Sequence, residues 1–119
     1  MEVVALRFRF IYFIIAVVFT LMIDQWYVEA HEEAHRVIFS YYGVDSEVHM
    51  HLLSGETVAD ANDVMFLATS RSDMYVSLLH AQSMVDAIGY QLEPILVVVT
   101  FILMCIMLHL LDPLMLEEG

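Results

Sequence analysis

The chain contains no lysine and a single cysteine, Cys105, so no internal disulfide can form and cysteine usage says nothing about redox compartment. Basic charge is scarce: four arginines stand against 16 carboxylates, a formal net charge of −12. Most of that imbalance is central. Residues 24–93 carry twelve carboxylates against Arg36 and Arg71, a net of −10. Such a segment repels nucleic acid and anionic lipid alike, which excludes both as partners of this region. Internal repeats and low-complexity linkers are absent, and 119 residues make one domain at most.

What the chain has in excess is apolar residues, 61 % of the total against roughly 45–50 % in soluble globular chains. They concentrate in two runs. Phe10–Ile23 reads FIYFIIAVVFTLMI, and Ile95–Leu111 reads ILVVVTFILMCIMLHLL. A bilayer core of about 30 Å takes roughly 20 helical residues. The second run nearly reaches that length alone, and the first does so with Val3–Leu6 and with Arg7 and Arg9 snorkelling to the interface. Two core helices, apolar on every side, would find too little surface in so short a chain to cover them. After the first run comes Asp24-Gln25-Trp26-Tyr27, an interfacial belt rather than a small-x-small cleavage site, so a retained signal anchor is expected. The boundaries read as a first span over 1–25, an extramembrane region over 26–93, a second span over 94–112 and a tail over 113–119. Arg7 and Arg9 favour a cytoplasmic N-terminus, which would put the central region outside and return the C-terminus to the cytoplasm.

Between Met22 and Tyr42 neither proline nor glycine interrupts a helix, so the first span should continue as one helix that Gly43 ends as a C′ glycine. In SEVHMHLL, Val48, Met50 and Leu52 alternate with Glu47, His49 and His51, the pattern of a strand with one apolar face. Ser54-Gly55 reads as a turn and Glu56-Thr57-Val58 as a short return strand. A helix should follow over Asp60–Thr69, capped by Asp60, and a longer one to about Leu92, capped by Ser70 or Ser72. Pro94 can open the second span or lie within one continuous helix. The expected fold is a mainly α membrane protein. Two transmembrane helices flank a small α+β domain with a short β-hairpin or strand, and both spans present that middle at one membrane face.

Chemistry concentrates in WYVEAHEEAHRVIFSYYG, residues 26–43. On a helix His31 and His35, four apart, share one face about 6 Å apart, as two ligands of one ion must. Zinc accepts neutral imidazoles and leaves a position open to water in catalytic sites. Glu32, beside the first histidine, falls where a carboxylate can take a proton from that water. Ile38, Phe39 and Tyr42 continue the histidine face, so that face should pack.

His31-Glu32-Glu33-Ala34-His35 resembles the zinc signature of the zincin metallopeptidases. The helix, Gly43 and the alternating strand after it are similar to small gluzincin-type peptidases and to intramembrane site-two metalloproteases. The likeness covers residues 26–53 and extends weakly to the helix around residue 86. In such families a carboxylate or histidine from a later helix completes the metal shell. Asp86 is the candidate, on a stripe with Val76, Leu79, Ser83 and Tyr90 that should pack. Its surroundings, VDAIGY, resemble the gluzincin third-ligand helix, with Asp where that pattern carries Glu. His80 could replace Asp86 or polarise a scissile carbonyl, and Tyr90 could hydrogen-bond near the metal. His49 and His51, two apart on a strand, can also hold a metal. Asp112 and His109, at the far end of the second span, should lie about a membrane thickness from the histidine pair.

These features lead to the expectation of a membrane-anchored zinc metallopeptidase acting on a peptide or protein substrate, with His31, His35 and Asp86 on Zn2+, Glu32 as general base, and His80 and Tyr90 as assisting groups. The bilayer is its setting. A short central region with a helical pair also suits a non-catalytic metal-binding or assembly subunit that self-associates or joins a membrane partner. A haem subunit fits poorly, because the first run has no histidine.

Overall fold

The computed structural model describes residues 2–111, with side chains from Phe10 onward. The side chains of Arg7 and Arg9, on which the expected orientation rests, lie outside the described residues, as do Asp112 and the C-terminal tail. The elements are α1 (Glu2–Tyr41), β1 (Ser46–His51), β2 (Ser54–Ala59), α2 (Ala61–Ser70) and α3 (Ser72–Leu111). The fold is therefore mostly helical with one two-stranded sheet. α1 and α3 are long and apolar enough to cross a membrane. α3 is a single helix with Pro94 inside it.

The chain divides into two compact units, one built from the apolar runs and the other from Gln25–Glu93. In the first, Phe13 and Phe101 meet edge to face at 5.8 Å, the arrangement the ring quadrupoles favour. Thr20, the polar residue of its run, donates its hydroxyl to the Ala16 carbonyl one turn back at 2.7 Å, which satisfies that buried hydroxyl.

In the second unit, α1 ends in a Schellman arrangement. Gly43 takes φ +77°, its N–H reaches the Ser40 carbonyl at 3.0 Å, and the Val44 N–H reaches the Phe39 carbonyl at 2.9 Å. Val44 is buried in a cluster with Leu67 and Leu78, and Phe39 packs against that cluster. Val44, Leu67 and Leu78 form the core of the unit, each from a different segment. Asp60 caps α2, its carboxylate accepting from the Asn62 and Asp63 N–H groups at 2.9 and 3.0 Å. The expected serine cap of α3 is not used. Arg71 alone separates α2 from α3, and its carbonyl accepts the Tyr75 N–H at 3.0 Å, so the two helices abut.

β1 and β2 pair antiparallel, His51 opposite Ser54 and Ser46 opposite Ala59. The turn is Leu52-Leu53, not Ser54-Gly55. Leu53 adopts φ +59°, a left-handed conformation unusual for a bulky side chain. Gly55 lies within β2 for a steric reason: a Cβ there would sit 2.7 Å from Met50 Sδ and 3.1 Å from Glu32 Cγ. The face of α3 that packs also differs from the expected stripe. Val76, Leu79, Ser83 and Tyr90 are exposed, whereas Leu78 and Gly89 are buried and Gln82 and Val85 half-buried. Leu78 packs into the core at one end of that face, and Gly89, without a side chain, allows close approach at the other.

Candidate metal centre

Two stripes meet in the Gln25–Glu93 unit: Val28, His31 and His35 on α1, and Gln82, Asp86 and Gly89 on α3. His35 meets Gln82 and His31 meets Gly89, so the segments run antiparallel. Both histidines are well covered, with side chains 12 % and 10 % exposed, while Asp86 stands at the rim with 44 %. Burial is therefore not what compels Asp86 to find a partner. Its Oδ1 lies 2.7 Å from His35 Nε2 and 3.1 Å from His31 Nε2, and the two nitrogens are 3.2 Å apart.

These distances can be tested against an ion. Two ligands of a tetrahedral centre with bonds of about 2.0–2.1 Å are separated by about 3.3–3.4 Å. The two nitrogens stand close to that spacing and the carboxylate oxygen is within a few tenths of an ångström of it from His31, whereas its 2.7 Å separation from His35 is that of a direct hydrogen bond and would have to widen around an ion. The donor types suit a metal, and this group could hold a metal ion.

Hydrogen bonds to Gln82 orient the His35 ring. Gln82 donates its Nε2 to the His35 carbonyl at 3.0 Å, which fixes the orientation of its amide. Its Oε1 then faces His35 Nδ1, so that nitrogen must carry the hydrogen. His35 Nε2 is thereby turned to the Asp86 carboxylate and to His31 Nε2, and when it carries no hydrogen it can offer an unshared pair to a cation there. Orientation of a ligating imidazole through its other nitrogen is how metal sites set the tautomer.

His31 is placed by different means. A Cβ at Gly89 would land inside van der Waals contact of His31 Cε1 and Nδ1, so only glycine admits the ring. Tyr27 donates its hydroxyl to the Gly89 carbonyl at 2.9 Å and holds α3 at that approach. Tyr90 lies beside His31, ring centroids 5.8 Å apart, and is exposed.

Glu32 is not among the three converging groups. Thr57 on β2 donates its hydroxyl to Glu32 Oε2 at 2.6 Å, and the Glu32 carbonyl lies 2.9 Å from the same hydroxyl. Glu32 and His31 nevertheless line one cavity of about 190 Å³, with Tyr27, Leu53, Gly89 and Tyr90 on its wall. His80 is exposed on α3 and lines neither the cavity nor the triad. His49 and His51 lie on the exposed face of β1, His49 near Glu47 at 3.5 Å, and neither joins the triad.

The residues that sequence reasoning missed are the ones that position others: Gln82, Gly89, Thr57 and Gly55. Gly89 carried a signal, since a glycine inside a helix is unfavourable by about 1 kcal/mol relative to alanine and asks for a packing reason. Gln82 stands four residues before Asp86 and shares its face, but nothing in its type marks it. No family model matches the chain, and no curated protein or solved structure matches it either.

Proposed function

We propose that the chain is a membrane-anchored zinc metallopeptidase in which His31, His35 and Asp86 hold the ion and Glu32 is the general base. One observation carries the reading: three candidate ligand atoms converge, and the Gln82 amide orients the His35 ring so that Nε2 faces the other two. The chemistry a bound zinc supplies is that of a Lewis acid, polarising the scissile carbonyl and making water more acidic. Glu32, left out of the triad and lining the cavity beside His31, takes the proton of the attacking water and passes it to the leaving amine. Thr57 steadies that carboxylate.

Substrate would lie along β2, the strand that touches Glu32. In the observed register Ser54, Glu56 and Val58 bond to β1, so Gly55, Thr57 and Ala59 turn their backbone groups to the outer edge. An extended peptide can pair with those groups. The cavity, smaller than the roughly 300–1,000 Å³ typical of small-molecule sites, would take one side chain. The exposed apolar side chains of the two runs suit a lipid setting, with the acidic bulk of the Gln25–Glu93 unit outside the hydrocarbon.

A non-catalytic metal-binding role is favoured by one contact, the hydrogen bond that ties Glu32 into the hairpin. Glu32→Gln separates the readings, because glutamine keeps an acceptor for Thr57 but cannot take a proton. A peptidase should lose about 10²–10⁴-fold of its turnover of a fluorogenic peptide library while retaining its metal. Wild-type protein that is free of metal when purified in detergent without chelator, or full turnover in the Glu32→Gln variant, would overturn the proposal.

A further inference from the structure

The Leu52-Leu53 turn is at odds with its place. Two-residue hairpin turns favour asparagine, aspartate and glycine, which tolerate positive φ and meet water readily. Here Leu53 sits at φ +59° and Leu52 is 89 % exposed. No carboxylate or arginine occurs from Val48 to Gly55, in a region otherwise dense in acids. A strained, apolar, uncharged tip has no rationale in water.

Its anchor supplies one. The Gln25 side chain grips both sides of the turn, Nε2 donating to the His51 carbonyl at 3.0 Å and Oε1 accepting from the Leu53 N–H. Gln25 comes two residues after the end of the first apolar run, and Trp26, the only tryptophan, follows it with 70 % exposure. Tryptophan at the end of an apolar run marks the bilayer interface. The hairpin tip is thus tied to the residue at which the chain leaves lipid.

We propose that the turn is a third lipid-contacting element, with Leu52 inserted beside Trp26 into the interfacial layer of the bilayer. The inference rests on the membrane reading given above and is independent of the metal. The partner is the zwitterionic lipid surface, since the net charge of −10 over residues 24–93 opposes anionic headgroups. An inserted Leu52 buries apolar surface that water would otherwise meet.

The test uses the full chain with Cys105→Ser, reconstituted in phosphatidylcholine vesicles. Single cysteines at Leu52, at Glu47 near the far end of β1, and at Phe19 in the first run each carry an NBD label, and nitroxide-labelled phosphatidylcholine is the quencher. Labels at 52 and 19 should show blue-shifted emission and several-fold stronger quenching than the label at 47. Intrinsic Trp26 fluorescence should be quenched as well. Quenching at 19 without quenching at 52 overturns the inserted turn and leaves the membrane reading standing. Quenching at neither position overturns both. Equal quenching at 47 and 52 overturns insertion by the turn, since the whole sheet would then lie on lipid.

Discussion

Two pairs of histidines lie close in the chain and meet opposite fates. His31 and His35, one helical turn apart, are covered and point their Nε2 atoms at a common carboxylate oxygen. His49 and His51, two apart on β1, are exposed, with Glu47 3.5 Å from His49 and Glu56 opposite it on β2. Spacing alone does not make this difference, because both spacings put two rings on one face. The helical pair is opposed by a second element that brings a carboxylate, an orienting amide and a glycine-sized gap. The strand pair faces outward; Glu56 stands opposite His49 on β2, but no orienting amide or glycine gap accompanies it and the group does not converge. Ligand convergence is a property of the partners, and the sharpest tests act on them.

The largest contrast is deletion within each pair. His35→Ala should reduce bound metal from stoichiometric to background by elemental analysis of detergent-purified protein. The double variant His49→Ala, His51→Ala should keep its metal and change stability by no more than about 0.5 kcal/mol. Metal loss in the strand variant would transfer the site to the hairpin. Next comes Gly89→Ala. Helix propensity alone would stabilise it by about 1 kcal/mol, whereas driving a methyl into the His31 ring costs about 1–3 kcal/mol. The clash should win, with a lower melting temperature and weakened metal binding. A more stable variant that binds metal normally would show that His31 can move aside.

Gln82 acts at one remove and should matter less. Gln82→Met keeps the volume and removes both hydrogen bonds to His35, and should weaken metal affinity about 10–100-fold in a chelator competition. Gln82→Glu keeps an acceptor for the Nδ1 hydrogen and should recover part of that loss. Equal affinities in all three proteins would remove tautomer control from the account.

The same contrast explains what could be read without coordinates. The long helix ended by Gly43, the Asp60 cap and the alternation of β1 are local features, each decided by residues within a turn or two. The His31–His35 spacing belongs with them. The position of the turn, the packed face of α3 and the role of Gln82 are decided across the unit. Ser54-Gly55 has the composition of a turn, yet Gly55 is required by Met50 and Glu32, and Gln25, 28 residues before Leu53, secures the actual turn. On α3, Val76 and Leu79 have the apolarity of a buried stripe, yet Gly89 allows the closer approach. Apolar periodicity cannot weigh a residue whose contribution is the absence of a side chain.

The smallest effect concerns the solvent side of the same helix. Glu33, between His31 and His35, forms an ion pair with Arg36 three residues on. The Arg36 hydrogen bond and then its charge hold the Glu33 carboxyl below its ordinary value, while partial desolvation opposes them. A depressed carboxyl pKa favours the folded state above the unfolded value, and the contribution disappears as pH falls through the folded one. The pair is fully exposed, so salt should screen it. Arg36→Ala should return the Glu33 titration toward its ordinary value, as followed by the carbonyl chemical shift in NMR, and leave metal content unchanged. Loss of metal on that substitution would mean that the acidic face of α1 helps to form the site as well as to solvate it.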